Sequence, residues 1–205
     1  MAHTIDTILA HANDPGLLYW FVRGERMGPL RRDYAQKLGI EVGAAWNQTK
    51  ARKVEHLAQL NACHAAALSF LAKRDFSQAL LLRRLCRKWP QDIAQVTVDQ
   101  MRVAGWVNDK TYATRRAAKL AQRKIVSPEL LHARLCDEGV PDAIAHTSAR
   151  AAATTLAQLS TRAKSLFAQG KSPTSIASTF SRAGFDLDTI ESAFAKARIP
   201  WDSDL

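Results

Sequence analysis

The chain has 205 residues, 47% of them hydrophobic, and carries 29 Lys and Arg against 19 Asp and Glu, a net charge of +10 at pH 7. This apolar content excludes a disordered chain, and no apolar run approaches the roughly 18–20 residues that a membrane-spanning helix needs. The surplus of positive charge favours a polyanionic partner.

The cysteines and the N-terminal sequence indicate a compartment. Cys63, Cys86 and Cys136 are an odd number of thiols at wide spacing. This pattern favours reduced thiols over a disulfide framework. The N-terminus has no basic region followed by an apolar stretch, so we expect no secretory signal. These features predict a cytoplasmic protein that does not associate with a membrane.

The first sixty residues are predicted to form an extension before the rest of the fold. Residues 4–12 are compatible with a short helix, which the following Asn-Asp-Pro-Gly turn would end. Residues 16–27 are rich in aromatic side chains, and their pattern leaves helix and strand open. Residues 31–38 and 41–60 resemble a helix-turn-helix with Gly39 at the turn. The alternative is two helices that pack against the remainder of the fold.

Three later segments share one spacing and predict a repeated unit. They begin at Ser77, Ser127 and Ser172, and each serine suits a helix N-cap. Proline follows the second and third serines at the first helical position, where a missing N–H does no harm. The intervals between the serines are 50 and 45 residues. Repeat periods of about 20–50 residues are typical of stacked helical units.

Each of these helices has an amphipathic helix on either side. The helices that follow are predicted at residues 93–104, 142–153 and 187–197, and those that precede at 65–73, 110–123 and 156–169. No stretch after residue 60 alternates between apolar and polar residues over the length of a strand. The sequence therefore predicts an elongated all-α fold, with the extension at 1–60 and three-helix repeats at 61–107, 108–154 and 155–205.

The chain shows no convincing catalytic or metal centre. Cys86 and Cys136 hold equivalent places in two repeats, beside Leu85 and Leu135. We interpret them as buried structural thiols, because ligands in separate repeats do not converge on one metal ion. No paired carboxylates occur in apolar surroundings. The protein is predicted to be a non-enzymatic monomer without cofactor or metal.

Positive charge is concentrated in the middle third of the chain. Residues 61–126 contain 13 Lys and Arg against 4 Asp and Glu, whereas residues 127–205 contain 8 against 9. Basic residues recur at intervals of four on the predicted helices, where like charges repel by about 0.2–0.5 kcal/mol per pair. A solvated basic face and a polyanion-binding face are the two interpretations. On the second interpretation, the residues predicted to contact nucleic acid or an acidic protein groove are Arg83, Arg84, Arg87, Lys88, Arg115, Arg116, Lys119, Arg123 and Lys124.

Several short segments between residues 62 and 198 form a recognisable set by their order and spacing. They are residues 67–77 and 81–85, Gly105 to Asp109 with Tyr112 and Ala113, Ser127 and Pro128 with Leu131, Leu135, Gly139 and Val140, and Ala183 to Phe185 with Ile190. In these segments the chain resembles the bacterial RecX regulators of the RecA recombinase. The segment from Gly105 is similar to a family motif of glycine, aliphatic residues, paired Asn or Asp, and Tyr-Ala. The sixty-residue extension is longer than family members usually have.

The resemblance implies a curved array of three-helix repeats and a role in DNA repair, recombination and the SOS response. Family members lie in the groove of the RecA–DNA filament and suppress its ATPase, strand-exchange and co-protease activities. The implied partners are the RecA filament and single- or double-stranded DNA. The alternatives are a general or helix-turn-helix DNA-binding protein without a recombinase partner, and a scaffold that docks an acidic protein.

Overall fold

A computed structural model of the chain describes residues 3–201, without the side chain of Arg123. Ten helices and five short strands occupy this described range. The chain divides into two compact units, one of Met1–Ala72 with Leu85–Gln100 and the other of Lys73–Arg84 with Met101–Leu205. The fold is mostly helical, as predicted, but the all-α class is wrong because the N-terminal region contains β-sheet.

The five strands all belong to the first unit. They are β1 (His3–Thr4), β2 (Thr7–His11), β3 (Asp14–Val22), β4 (Glu25–Arg31) and β5 (Ala45–Trp46). β2, β3 and β4 form an antiparallel sheet in that order, and β1 pairs with β5. On β3, Leu18, Trp20 and Val22 are buried, because alternate residues of a strand point to the same face.

The short helix predicted over residues 4–12 is wrong, because these residues contribute to β1 and β2. Ile8 of β2 lies opposite the buried Trp20 of β3. An isolated nine-residue helix is marginal in water, whereas cross-strand pairs with an aromatic residue stabilise a sheet. The segment at 16–27, left open between helix and strand, forms most of β3 and the start of β4.

The helix-turn-helix prediction is wrong in its geometry. The two helices are α1 (Arg32–Lys37) and α2 (Gln48–Leu71). Residues 38–47 and the short strand β5 separate them, whereas the motif joins its helices through a turn of about three or four residues. α2 begins later than predicted because Asn47 caps it, its side-chain oxygen accepting from Lys50 N at 2.9 Å. The helix then continues unbroken past residue 60.

The other eight helices agree closely with the predicted ones. They are α3 (Gln78–Leu85), α4 (Gln91–Val103), α5 (Asp109–Arg123), α6 (Pro128–Asp137), α7 (Asp142–Ala152), α8 (Leu156–Ala168), α9 (Pro173–Arg182) and α10 (Leu187–Ala197). The N-caps predicted at Ser127 and Ser172 are confirmed. Their hydroxyl oxygens accept from the backbone N–H groups of Leu130 and Ser175 at 3.1 and 3.3 Å.

The helices of the second unit enclose two apolar clusters. In the first cluster α7 packs against both α5 and α6, and Leu131 and Leu135 of α6 are completely buried. In the second cluster α8 packs against α9 and α10 around Phe180, Ile190 and Phe194. These clusters hold the helices from which a large surface groove is built.

Two hydrogen bonds at corresponding places connect consecutive helix groups in the second unit. The Ser77 hydroxyl donates to the carbonyl oxygen of the residue before Gly139 at 2.5 Å, and the Ser127 N–H donates to the carbonyl oxygen of the residue before Gly184 at 2.9 Å. Both glycines have a positive φ, of 76° and 89°, and each lies against the first turn of the earlier helix. The repeat boundaries and the curved array stay predictions.

Candidate polyanion-binding groove

A groove with a volume of about 1670 Å³ lies on the second unit. Its walls come from α5 to α9 and from the segment between α5 and α6. Six Lys and Arg residues line it, and its lining contains no Asp or Glu. We call this feature the basic groove, and its cationic residues are Lys110, Lys124, Arg134, Arg162, Lys171 and Arg182.

The basic groove exists because short side chains line the helices that form it. Ala113 and Ala117 on α5 are completely buried, as are Ala145 and Ala149 on α7, so these two helices pack against each other closely. The lining itself includes further alanines, namely Ala118, Ala121, Ala143, Ala151, Ala152 and Ala183. A methyl group leaves space that a larger side chain would fill, and this keeps the concavity open.

The electrostatics of the basic groove favour an anionic ligand. All six cationic side chains are exposed. Arg182 Nε donates to the carbonyl oxygen of Ser178 at 3.2 Å, and this bond fixes the position of its guanidinium group. The wall between the charges is partly apolar and includes Ile144 and Leu166. A concave surface of one charge sign with low-dielectric walls concentrates the local potential, so the groove is a candidate surface for binding a polyanion.

Of the nine residues predicted to contact DNA or a filament, Lys124 lines the basic groove. Arg115 and Lys119 are exposed on α5, each directly after a lining residue, Thr114 or Ala118. Adjacent helical residues are rotated by about 100°, so these two cations lie beside the groove rather than in it. Arg115 Nη1 is also 3.4 Å from a carboxylate oxygen of Asp75 in an exposed pair.

Arg116 has a different surrounding from the other predicted residues, because it is committed to an internal ion pair. Its Nε and Nη2 donate to the Glu138 carboxylate at 2.9 and 2.6 Å, and the Tyr112 hydroxyl donates to the same carboxylate at 2.6 Å. Burial and the hydrogen bond to Glu138 raise the pKa of the Tyr112 hydroxyl, so it stays protonated as a donor. Arg116 therefore joins α5 to the end of α6.

Replacing Glu138 with alanine is expected to lower the free energy of unfolding by about 1.5–3 kcal/mol. The change leaves the half-buried Arg116 guanidinium and the Tyr112 hydroxyl without their acceptor. Urea titration followed by circular dichroism measures the effect. Asp137→Ala is the matched control, because Asp137 is exposed and such positions usually change stability by under about 0.5 kcal/mol. Equal losses in both variants would contradict a stabilising role for the contacts of Glu138 with Arg116 and Tyr112.

The remaining predicted residues are divided between the two units. Arg83 and Arg84 are exposed in the second unit, and Arg83 Nη2 donates to the Asp137 carbonyl oxygen at 2.9 Å. Arg87 and Lys88 are exposed in the first unit, where Lys88 Nζ lies 4.9 Å from the centroid of the Trp89 ring. The side chain of Arg123 lies outside the described part of the chain.

Five cations of the basic groove were missed from the sequence, namely Lys110, Arg134, Arg162, Lys171 and Arg182. Four of them come after residue 126, where acidic residues slightly outnumber basic ones. They are single charges on separate helices or turns, so no run of charge marks them. No local sequence signal marks them, because only the packing of α5, α6, α8 and α9 brings them to one surface.

The thiols are less buried than predicted. Cys63 is buried, and burial raises the pKa of its thiol. Cys86 is exposed and Cys136 is partly exposed, so the prediction that these two thiols are buried is wrong. Among the described residues, no helix is long and apolar enough to cross a membrane.

Comparison with solved structures identifies the fold. The chain superposes on a structure described as regulatory protein RecX with a TM-score of 0.73, at 12% sequence identity, over 96% of this chain and 98% of that one. It superposes on RecX from Lactobacillus salivarius with a TM-score of 0.61, at 18% identity, over 69% of this chain and 98% of that one. The chain therefore has a RecX-like fold.

Neither of the two comparisons of sequence finds a match. No protein-family profile matches the chain, and no curated protein matches it in sequence. The first of the two superpositions covers nearly the whole chain, so the likeness extends into the N-terminal region that the sequence set apart as an unusual extension.

Proposed function

We propose that the protein is a regulator of the RecA recombinase, an inhibitor that binds in the groove of the RecA–DNA filament. The observation that carries the proposal is the likeness in fold to regulatory protein RecX over nearly the full length of both chains. The residues that resemble the RecX family in the sequence support the same function independently of the superposition.

The proposed contact surface is the basic groove together with the exposed cations of α5 beside it. Arg115 and Lys119 are exposed and adjacent to groove-lining residues. Nucleic-acid phosphates in a filament are the ligands that such a surface recognises, because Lys and Arg neutralise them and release bound counterions. Arg116 contributes by holding α5 in place, since Glu138 already occupies its guanidinium group.

A DNA-binding protein without a recombinase partner is the second candidate function. The observation that favours it is the basic groove itself, which holds six cations and no acid and contains nothing particular to a protein filament. On this alternative, any effect on RecA would arise from competition for DNA. The two functions therefore differ in the concentration of this protein that is needed to inhibit RecA.

We expect the full-length protein to inhibit the single-strand-DNA-dependent ATPase of RecA at concentrations well below that of the DNA sites. A regulator that contacts several filament subunits acts before the DNA is saturated. ATP hydrolysis is measured at fixed RecA and DNA, with the regulator varied over a hundredfold range. DNA binding without RecA, measured in the same buffer, is the control. Inhibition that begins only when the protein saturates the DNA would favour simple competition.

A further inference from the structure

A cluster of metal-ligand side chains lies at the junction of α6 and α7. Nε2 of His132 is 2.8 Å from Oδ1 of Asp142 and 3.5 Å from Sγ of Cys136. One ligand atom from each of these three residues lies within 4.8 Å of the other two. None of the three lines the basic groove, so the cluster is separate from the proposed contact surface.

The helices bring these side chains together in a regular way. His132 and Cys136 are four residues apart on α6 and therefore share one face. Asp142 is the first residue of α7, and His146 follows it by four residues on the same helix. The rings of His132 and His146 meet edge to face with their centroids 6.1 Å apart. Two pairs of ligands thus face each other across a tight connection between packed helices.

We propose that His132, Cys136 and Asp142 bind a Zn²⁺ ion, with His146 as the fourth ligand. Imidazole, thiolate and carboxylate are the ligand types that zinc accepts in tetrahedral sites, where bond lengths of about 2.0–2.3 Å place the ligand atoms about 3.3–3.8 Å apart. Nε2 of His132 lies 2.8 and 3.5 Å from the other two ligand atoms, and all three atoms lie within 4.8 Å of one another, so small side-chain rotations bring them to tetrahedral spacing. One thiolate and one carboxylate together neutralise the charge of the ion.

The chain contains a natural comparison for this cluster. Cys86 and Asp92 precede its thiol and its carboxylate by fifty residues each. At the places of the two histidines stand Leu82 and Val96. The helix pattern therefore forms without the histidines, which stand beside Cys136 and Asp142 but not beside Cys86 and Asp92. A packing role does not need imidazole at these partly or fully exposed positions, whereas a metal site does.

Metal binding is tested on the full-length chain, freed of metal with a chelator and kept reduced. We expect one equivalent of Co²⁺ to produce a thiolate-to-metal charge-transfer band together with the intense visible bands of tetrahedral cobalt, and Zn²⁺ to displace it. Cys136→Ser should abolish the charge-transfer band and weaken Zn²⁺ binding by more than the roughly 10–100-fold that follows from losing an outer-shell partner. Cys86→Ser is the matched control and should leave both readouts unchanged.

Two further variants test the proposed ligands other than Cys136. Asp142→Asn and His146→Gln should each weaken Zn²⁺ binding while the charge-transfer band with Co²⁺ persists at saturating metal. Circular dichroism confirms that every variant is folded. Absence of the band in the parent protein, its retention in Cys136→Ser, or equal losses in Cys86→Ser and Cys136→Ser would each overturn the proposal. These outcomes are independent of any effect on RecA.

Discussion

The double variant Arg162→Glu with Lys171→Glu is expected to bind DNA about 100-fold more weakly than the parent protein. Both side chains are exposed and line the basic groove. Each substitution removes a cation that we propose neutralises a phosphate, and it places an anion in a groove whose lining has no other acid. Contacts to phosphate carry no sequence information, so the loss should be similar for DNA of any sequence.

Fluorescence anisotropy with labelled single-stranded and duplex oligonucleotides measures the loss at several salt concentrations. The log–log salt slope should become less steep by about one for each phosphate contact removed, hence by about two for the double variant. The matched control is Lys164→Glu with Lys196→Glu. Both of these lysines are exposed on α8 and α10 and lie outside the groove lining, and the control lowers the net charge equally.

A third double variant tests the residues that the sequence singled out. Arg115→Glu with Lys119→Glu changes the charge by the same amount on α5, beside the basic groove. We expect a loss between those of the other two variants, because these cations flank the groove. Equal losses in all three would show that net charge, and not the groove, determines affinity. Unchanged binding in the third variant would remove its two residues from the contact surface.

Replacing Gly184 with alanine is expected to lower the free energy of unfolding by roughly 2–5 kcal/mol. Its φ is 89°, a backbone conformation that a side chain disfavours. A Cβ atom there would also lie 2.6 Å from Ser127 Oγ and 2.8 Å from Leu130 Cβ. Both atoms belong to the start of α6, whose capping bond fixes the Ser127 hydroxyl, so the neighbours have little room to move.

Gly170→Ala separates the two causes. Gly170 has a φ of 84°, close to that of Gly184, but nothing lies within 4 Å of an added Cβ. The control should therefore lose only about 1–2 kcal/mol for the backbone conformation. Urea titration measures both variants under the same conditions. Losses of equal size would contradict a close packing contact between the end of α9 and the start of α6.

Local signals made the helices of the second unit predictable. Ser127 and Ser172 cap α6 and α9 as expected, because a serine followed by proline satisfies the first backbone N–H groups without help from the rest of the fold. The N-terminal sheet depends on pairing between separate segments. The segment from Thr7 to His11 is too short for its own pattern to predict a strand, and it becomes one by pairing with β3.

The same distinction applies to the candidate groove. Lys124 was found because it belongs to a run of positive charge, but Arg134 and Arg162 are single cations on different helices. Only the packing of those helices brings them to one surface. Arg116 illustrates the reverse case, since its spacing placed it on the flank of a basic face, whereas Glu138, twenty-two residues later, holds it in an ion pair.

The shape of the basic groove depends on the alanines that line it, whereas its charge depends on other residues. Six lining positions carry only a methyl group, and lengthening any of them would occupy the concavity while leaving every lysine and arginine in place. A larger uncharged side chain at any of these positions would therefore narrow the groove without changing the net charge of the protein. Comparing the side-chain volumes of relatives at these six positions would distinguish open grooves from closed ones better than comparing their isoelectric points.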